Sequence, residues 1–96
     1  MNESNLSDAA LAELLTLTMT VDAFGITIYR NHLDQTHRIH GPAVTHSDEG
    51  QFWFRYGRQH RTTGPAAIWA DGHREWHLDG ERLTEKEFNE RVKSIR

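Results

Sequence analysis

The chain has 96 residues and a formal net charge of −3 at pH 7, a length that fits a single domain. It has no cysteine, which excludes a disulfide framework and a thiolate zinc site and suits a reducing cytoplasm. No apolar run approaches the length of a membrane-spanning helix, and Glu3 and Asp8 near the N-terminus argue against a signal peptide.

Residues 7–17 are predicted to form an N-terminal helix. Ser7 is a suitable N-cap, and Leu11, Leu14 and Leu15 form an apolar stripe at helical spacing. This helix either packs on the rest of the fold or, because its outer face is purely acidic, binds a partner or a second copy of the chain. Residues 16–21 are rich in β-branched side chains, and their secondary structure is ambiguous. They either extend the helix or enter a strand.

The segment from Gly25 to Arg30 alternates apolar and polar residues and is predicted to be a strand. It resembles the second half of the repeat that follows, with Tyr29 near the position of a tryptophan. Residues 24–36 are therefore interpreted as a degenerate first unit.

Residues 37–59 and 60–82 repeat each other at a spacing of 23 residues. Self-similarity at such a period is typical of a repeat array, in which each unit needs its neighbour to bury a face. Most of the identities involve residues that shape or pack a chain, and we expect these to have a structural role: His37, Arg38, Gly41, Pro42, Trp53 and Gly57 in the first full unit, and His60, Arg61, Gly64, Pro65, Trp76 and Gly80 in the second.

Each unit has the pattern of a β-hairpin. In the second unit, a short strand at 66–70 precedes the turn pair Asp71-Gly72, a returning strand covers 74–78, and Asp79-Gly80 forms another turn before 81–83. The first unit departs from this pattern, because Asp48-Glu49-Gly50 carries what looks like an extra residue before its glycine.

The pattern HRxxGPA, then DG, then W, then G, resembles the tandem repeats of small uncharacterised bacteriophage and prophage proteins, which are similar in layout to bacterial variants of the MORN repeat. The resemblance covers roughly residues 24–90. It implies a phage-type origin and a bacterial host, and it carries no common activity.

Residues 84–95 are predicted to form a C-terminal capping helix. Thr84 to Glu87 reads as a capping box, and Leu83 and Phe88 are placed as a hydrophobic staple. The predicted fold class is thus α+β: an antiparallel β-meander of about two and a half MORN-like β-hairpin repeats, flanked by an N-terminal helix and a C-terminal helix.

The histidines suggest a metal site only weakly. His37 and His40 are close in sequence, and His73 and His77 lie two steps apart on one strand face, but no HxH or HExxH pattern is present. A phosphate-binding loop and a nucleophile motif are also missing. We therefore expect no metal, no cofactor and no enzymatic activity. A repeated histidine is expected to donate a ring N–H to a backbone carbonyl and to stack on tryptophan.

Alternation places Phe52, Phe54 and Tyr56 on the face opposite Trp53, so that this strand is central or covered on both sides. If helices cover only the tryptophan face, these aromatics are exposed together with nearby arginines, a composition typical of interface hot spots. The candidate partner-binding residues are Phe52, Phe54, Arg55, Tyr56 and Arg58.

The sequence therefore leads to three functional hypotheses. The first is a non-enzymatic phage-type protein that binds and inhibits a protein of the bacterial host, such as a defence-system component, in the manner of an anti-CRISPR protein. The second is a nucleic-acid-binding module that uses the same arginines and aromatics, although the seven acidic residues that balance seven arginines between positions 23 and 82 argue against it. The third is a homo-oligomeric structural protein. Membrane binding is not expected, because a basic amphipathic helix is missing.

Overall fold

The computed structural model describes residues 16–94, so that most of the helix predicted at 7–17 lies outside the described residues. Within this range the protein is mostly antiparallel strand with one C-terminal helix, as predicted. Residues 18–21, ambiguous in sequence, form a strand. The elements are β1 (Thr18–Val21), β2 (Thr27–Arg30), β3 (Val44–Thr45), β4 (Gln51–Phe52), β5 (Phe54–Arg55), β6 (Arg58–Gln59), β7 (Ala67–Ile68), β8 (Arg74–Leu78), β9 (Glu81–Leu83) and α1 (Glu85–Ser94).

Seven strands form one antiparallel sheet in the order β1-β2-β3-β4-β7-β8-β9, and β5 and β6 form a separate hairpin. The strand that carries Phe52 is therefore central, as expected. β8 pairs with two neighbouring strands along different parts of its length. Arg74 and Glu75 pair with β7, whereas Trp76 to Leu78 pair with β9.

The backbone hydrogen bonds recur from unit to unit. The Trp53 N–H donates to the Ala66 carbonyl at 2.7 Å, and the Tyr29 N–H donates to the Ala43 carbonyl at 2.8 Å. Tyr29 thus occupies in the first, degenerate unit the position that Trp53 holds in the next.

Two-residue turns close the β5–β6 and β8–β9 hairpins. Both central residues have positive φ: 51° and 82° at Tyr56 and Gly57, and 50° and 86° at Asp79 and Gly80. This is the type I′ pattern, whose twist matches that of the flanking strands. Asp-Gly is a usual choice for such a turn, whereas Tyr-Gly places a bulky side chain at a left-handed position.

The turn at 47–50 corrects the sequence interpretation, because it contains no extra residue. The His46 N–H donates to the Gly50 carbonyl at 2.8 Å, as the Trp69 N–H donates to the His73 carbonyl at 2.9 Å. Glu49 takes the place of Gly72, and the two residues have φ of 75° and 91°. The 23-residue register therefore continues through the turn, with glutamate at the left-handed position.

α1 begins at the predicted capping box. The Thr84 hydroxyl accepts a hydrogen bond from the Glu87 N–H at 3.1 Å, and the Glu87 carboxylate accepts one from the Thr84 N–H at 2.9 Å. α1 packs on β8 and β9 through a buried cluster of apolar side chains: Leu78, Leu83, Phe88 and Val92, with Trp76 against them. Among residues 16–94, no helix is long and apolar enough to cross a membrane.

Candidate functional site

Four rings lie in a continuous line on one face of the sheet, and we call this line the aromatic row: His46, Phe52, Trp69 and His73. The ring centroids of His46 and Phe52 are 5.2 Å apart, those of Phe52 and Trp69 are also 5.2 Å apart, and those of Trp69 and His73 are 4.9 Å apart. Phe52 meets Trp69 edge to face at 89°, an arrangement that aromatic pairs favour.

The strand register explains how this row forms. Phe52 lies directly opposite Val44 on β3 and Ala67 on β7. Because the Ala67 side chain is small, the Phe52 ring reaches the diagonal neighbour Trp69, two residues further along the chain.

The aromatic row lies on the face opposite to α1. Glu75 is in register with Ala67 and Phe52, and the next residue, Trp76, points to the other face, where it contacts the α1 cluster. No element among residues 16–94 packs on the aromatic row as α1 packs on the opposite face, and Trp69 is 37% exposed. The row is therefore a partly exposed aromatic surface.

An ionic cluster continues this surface beside the row. The Nε2 atoms of His73 and His77 each lie 3.2 Å from a different carboxylate oxygen of Glu75, and Arg82 lies 3.5 Å from the same group. The hydrogen bond from His77, followed by that from His73 and the charge of Arg82, holds the pKa of Glu75 below its usual range despite partial burial. His73 and His77 thus share one face, as predicted. Across residues 16–94, no group of three or more potential metal ligands is present.

The five residues predicted to bind a partner are divided between the seven-stranded sheet and the β5–β6 hairpin. Phe52 belongs to the aromatic row, whereas Phe54 is half-buried in the β5–β6 hairpin opposite Gln59. Tyr56 stands at the turn, 60% exposed, with its ring 4.5 Å from that of His37. Because Tyr56 adopts a left-handed conformation in the turn, the strand alternation from which its face was predicted does not extend to it.

The two arginines of the prediction also differ in their surroundings. Arg55 and Arg58 are paired across the β5–β6 hairpin. Arg58 is exposed, with its aliphatic carbons near Gly80. Arg55 is half-buried and lines a cleft of about 310 Å³ together with Arg38 and Arg61.

The repeated arginines explain the HRxxGPA motif. The guanidinium of Arg61 lies 3.8 Å from the centre of the Trp53 ring and donates a hydrogen bond to the Pro65 carbonyl at 3.0 Å. Arg38 lies in the same way on Tyr29, at 4.1 Å, with a hydrogen bond to the Pro42 carbonyl at 3.3 Å.

The glycine of the motif leaves room for this guanidinium. A Cβ atom at Gly41 would lie 3.0 Å from the nearest nitrogen of Arg38, and one at Gly64 would lie 3.2 Å from that of Arg61. Arginine suits this position because its planar group stacks on a ring and keeps free N–H groups at its edge.

The repeated histidines cap the turn of the same hairpin from 19 residues upstream. Nδ1 of His60 accepts a hydrogen bond from the Asp79 N–H at 3.0 Å, and Nδ1 of His37 accepts one from the Tyr56 N–H at 3.0 Å. Nδ1 of each repeated histidine therefore accepts a backbone N–H, and arginine rather than histidine stacks on the tryptophan ring. Burial, and then the charge of Arg55, lower the pKa of His60, against an opposing effect of Asp79.

Sequence reasoning missed Trp69, the most exposed apolar ring of the aromatic row. A signal was present, since Trp69 lies two residues after Ala67 and so shares its face. It also missed the cleft, because its three arginines come from two units of the repeat: Arg38 and Arg55 from the first full unit and Arg61 from the second.

Comparison of the chain with protein-family models, curated protein sequences and solved structures finds no match.

Proposed function

We propose that this protein is a non-enzymatic binding protein that contacts another protein through the aromatic row. The observation that carries the proposal is the Phe52–Trp69 pair on the sheet face opposite to α1. Large rings held by their neighbours lose little conformational freedom on binding, and tryptophan is enriched among the residues that dominate interface energies.

The ionic cluster supports the same surface. Glu75 and Arg82 lie beside the aromatic row, where a polar rim can surround an apolar centre. These charges are already paired within the protein. We therefore expect them to contribute to the specificity of protein binding more than to attraction for the phosphates of a nucleic acid.

The repeat pattern supports a bacterial host protein as the partner. The tandem HRxxGPA units resemble those of phage and prophage proteins with MORN-like repeats, and a small accessory protein of this kind would act by occupying and blocking its target. A defence-system component fits this role. The N-terminal helix predicted at 7–17 belongs to the same proposal, as a second contact or as a cover on the sheet.

The test is affinity purification of the tagged protein from a bacterial lysate, followed by mass spectrometry and light scattering of the eluate. We expect one stoichiometric host protein with the wild-type bait. Trp69→Ala should lose it, because the substitution removes the exposed ring of the row. The matched control is Leu33→Ala, which removes a side chain that is 64% exposed in the loop after β2, and it should retain the partner.

Other outcomes would redirect the proposal. A partner captured equally by both variants would remove the aromatic row from the interface. Capture of nucleic acid that collapses between roughly 50 and 200 mM salt would favour phosphate contacts. A homo-oligomer without a partner would favour a structural role.

A further inference from the structure

A cleft lined by residues outside the aromatic row has a different chemistry from that row. It is about 310 Å³ in volume and lies between repeat units, and its wall includes Arg38, Trp53, Arg55, Arg61, Thr62 and Thr63. The volume lies at the small end of the range for ligand sites.

The positive charge of the cleft is not neutralised within the described protein. Among residues 16–94, Arg30, Arg82 and Arg91 have carboxylate partners within 4 Å, whereas Arg38, Arg55 and Arg61 have none. The hydrogen bonds of Arg38 and Arg61 go to proline carbonyls, which are neutral. Nε of Arg55 is buried and finds no hydrogen-bond partner in the same part of the chain.

The local electrostatics agree with this excess of positive charge. Burial lowers the pKa of Arg61, and the charge of Arg55 contributes to the lowered pKa of His60, which also borders the cleft. Positive groups that share a partly dry site repel each other, and a bound anion would relieve that repulsion.

Two of the three arginines are held in place before any ligand arrives. Stacking on Tyr29 and Trp53 fixes the planes of Arg38 and Arg61, and Arg61 Nε also donates to the Thr63 hydroxyl at 3.2 Å. A guanidinium held in this way loses little freedom on binding and presents a fork of N–H donors that matches phosphate oxygens. Thr62 also lines the cleft, and its side chain carries a hydroxyl group that can donate a hydrogen bond.

We propose that this cleft binds the phosphate group of a small molecule. Three guanidinium groups suit a multiply charged tetrahedral oxyanion better than a singly charged carboxylate. The site uses residues outside the aromatic row and is independent of protein binding through that row.

The experiment is a titration of ¹⁵N-labelled full-length protein with inorganic phosphate, and in a parallel arm with a nucleoside monophosphate, against chloride at equal ionic strength. We expect saturable shifts of the Thr62, Thr63 and Arg55 amides in phosphate, and a rise in melting temperature by mass action. Tighter binding in the nucleotide arm would assign a phosphorylated metabolite, and equal binding would assign free phosphate.

Two variants with the same change in charge give the decisive comparison. Arg55→Gln should weaken phosphate binding about tenfold or more, because one charge-assisted contact is lost. Arg58→Gln, outside the cleft, should leave the affinity within about twofold. Thr62→Ala is the second test if Arg55→Gln folds poorly, and it should also weaken binding.

Three results would overturn the proposal. The first is an absence of saturable shifts beyond those in chloride. The second is equal weakening by Arg55→Gln and Arg58→Gln, which would indicate general surface charge. The third is unchanged affinity in Thr62→Ala and Arg55→Gln. The Trp69→Ala variant should bind phosphate normally, so that failure of this site and failure of the protein-binding surface are distinguishable.

Discussion

At the scale of single residues, Glu49 is the clearest departure from what its position requires. It holds a φ of 75° at the place where the next unit has Gly72. A left-handed conformation costs a non-glycine residue roughly 1–2 kcal/mol, and glycine gives back about half of that through its freer unfolded chain. We therefore expect Glu49→Gly to raise the free energy of unfolding by about 0.5–1 kcal/mol, measured by urea denaturation.

The control for this substitution separates backbone strain from charge. Glu49→Ala removes the same carboxylate and keeps the left-handed backbone, so it should not stabilise the protein. The reciprocal change Gly72→Ala should cost about 1 kcal/mol. A Cβ atom at Gly72 meets nothing within 4 Å, so this cost would be conformational rather than steric. Stabilisation by Glu49→Ala as large as by Glu49→Gly would refute the explanation.

The repeat pointed to residues whose contacts recur from unit to unit, but it did not identify those contacts. Recurrence of His60 and Arg61 at a 23-residue spacing pointed to a structural role, and both side chains make the same contacts as their counterparts in the preceding unit. Which ring nitrogen accepts, and which residue stacks on tryptophan, depend on the path of the intervening hairpin. Residue spacing carries no information on that path.

At the scale of an element, the β8–β9 turn depends on the protonation state of His60. Its Nδ1 must be unprotonated to accept the Asp79 N–H, and its pKa in the folded protein is lowered. Because the unfolded chain then binds a proton more readily, the stabilisation is fully present above the ordinary pKa of about 6.5. It decreases as the pH falls from there through the lowered folded-state pKa. We expect the free energy of unfolding to decline with acidification in this window.

Two variants test this prediction by urea denaturation across the same pH range. His60→Asn offers an amide oxygen that can accept the same N–H without titrating, so the decline should become shallower. Asp79→Asn keeps the turn and removes the carboxylate that raises the pKa of His60, so the decline should extend to lower pH. If the free energy of unfolding depends on pH in both variants as it does in the wild type, the protonation of His60 does not control the stability of the turn.

Elements with local signals were predicted best. The capping box at Thr84 and the Asp79-Gly80 turn are encoded within a few residues, and both match the structure. β8 and β9 have the predicted bounds, whereas β7 covers Ala67–Ile68 rather than 66–70. Tyr56 was misplaced because its turn depends on Gly57 and on the cap from His37, and an alternation pattern registers neither.

At the scale of the whole molecule, the fold separates two chemistries that the sequence interleaves. Phe52 and Trp53 are neighbours in the chain, yet one belongs to the aromatic row and the other lines the arginine cleft. Sequence reasoning placed arginines and aromatics on a single surface because it counted them along one strand. Trp69 contacts Phe52 because β4 pairs with β7. Arg61 stacks on Trp53 of the preceding unit because the chain folds back between these two residues.

The uneven core leads to the last prediction, which concerns cooperativity. Among residues 16–94, the large buried apolar side chains lie at the α1 end, whereas every residue of β1 is exposed. Phe88 is 4% exposed, and Phe88→Ala should cost about 3–5 kcal/mol of a total stability of roughly 5–14 kcal/mol.

Because the strands from β1 to β4 have no comparable buried cluster among residues 16–94, they should unfold together with α1 in one transition. Hydrogen exchange should therefore show protection lost from β2 through β9, with Asn89→Ala on the exposed side of α1 as the control. Wild-type protection in β2 to β4 of Phe88→Ala would instead indicate an N-terminal half that is stable without the α1 cluster.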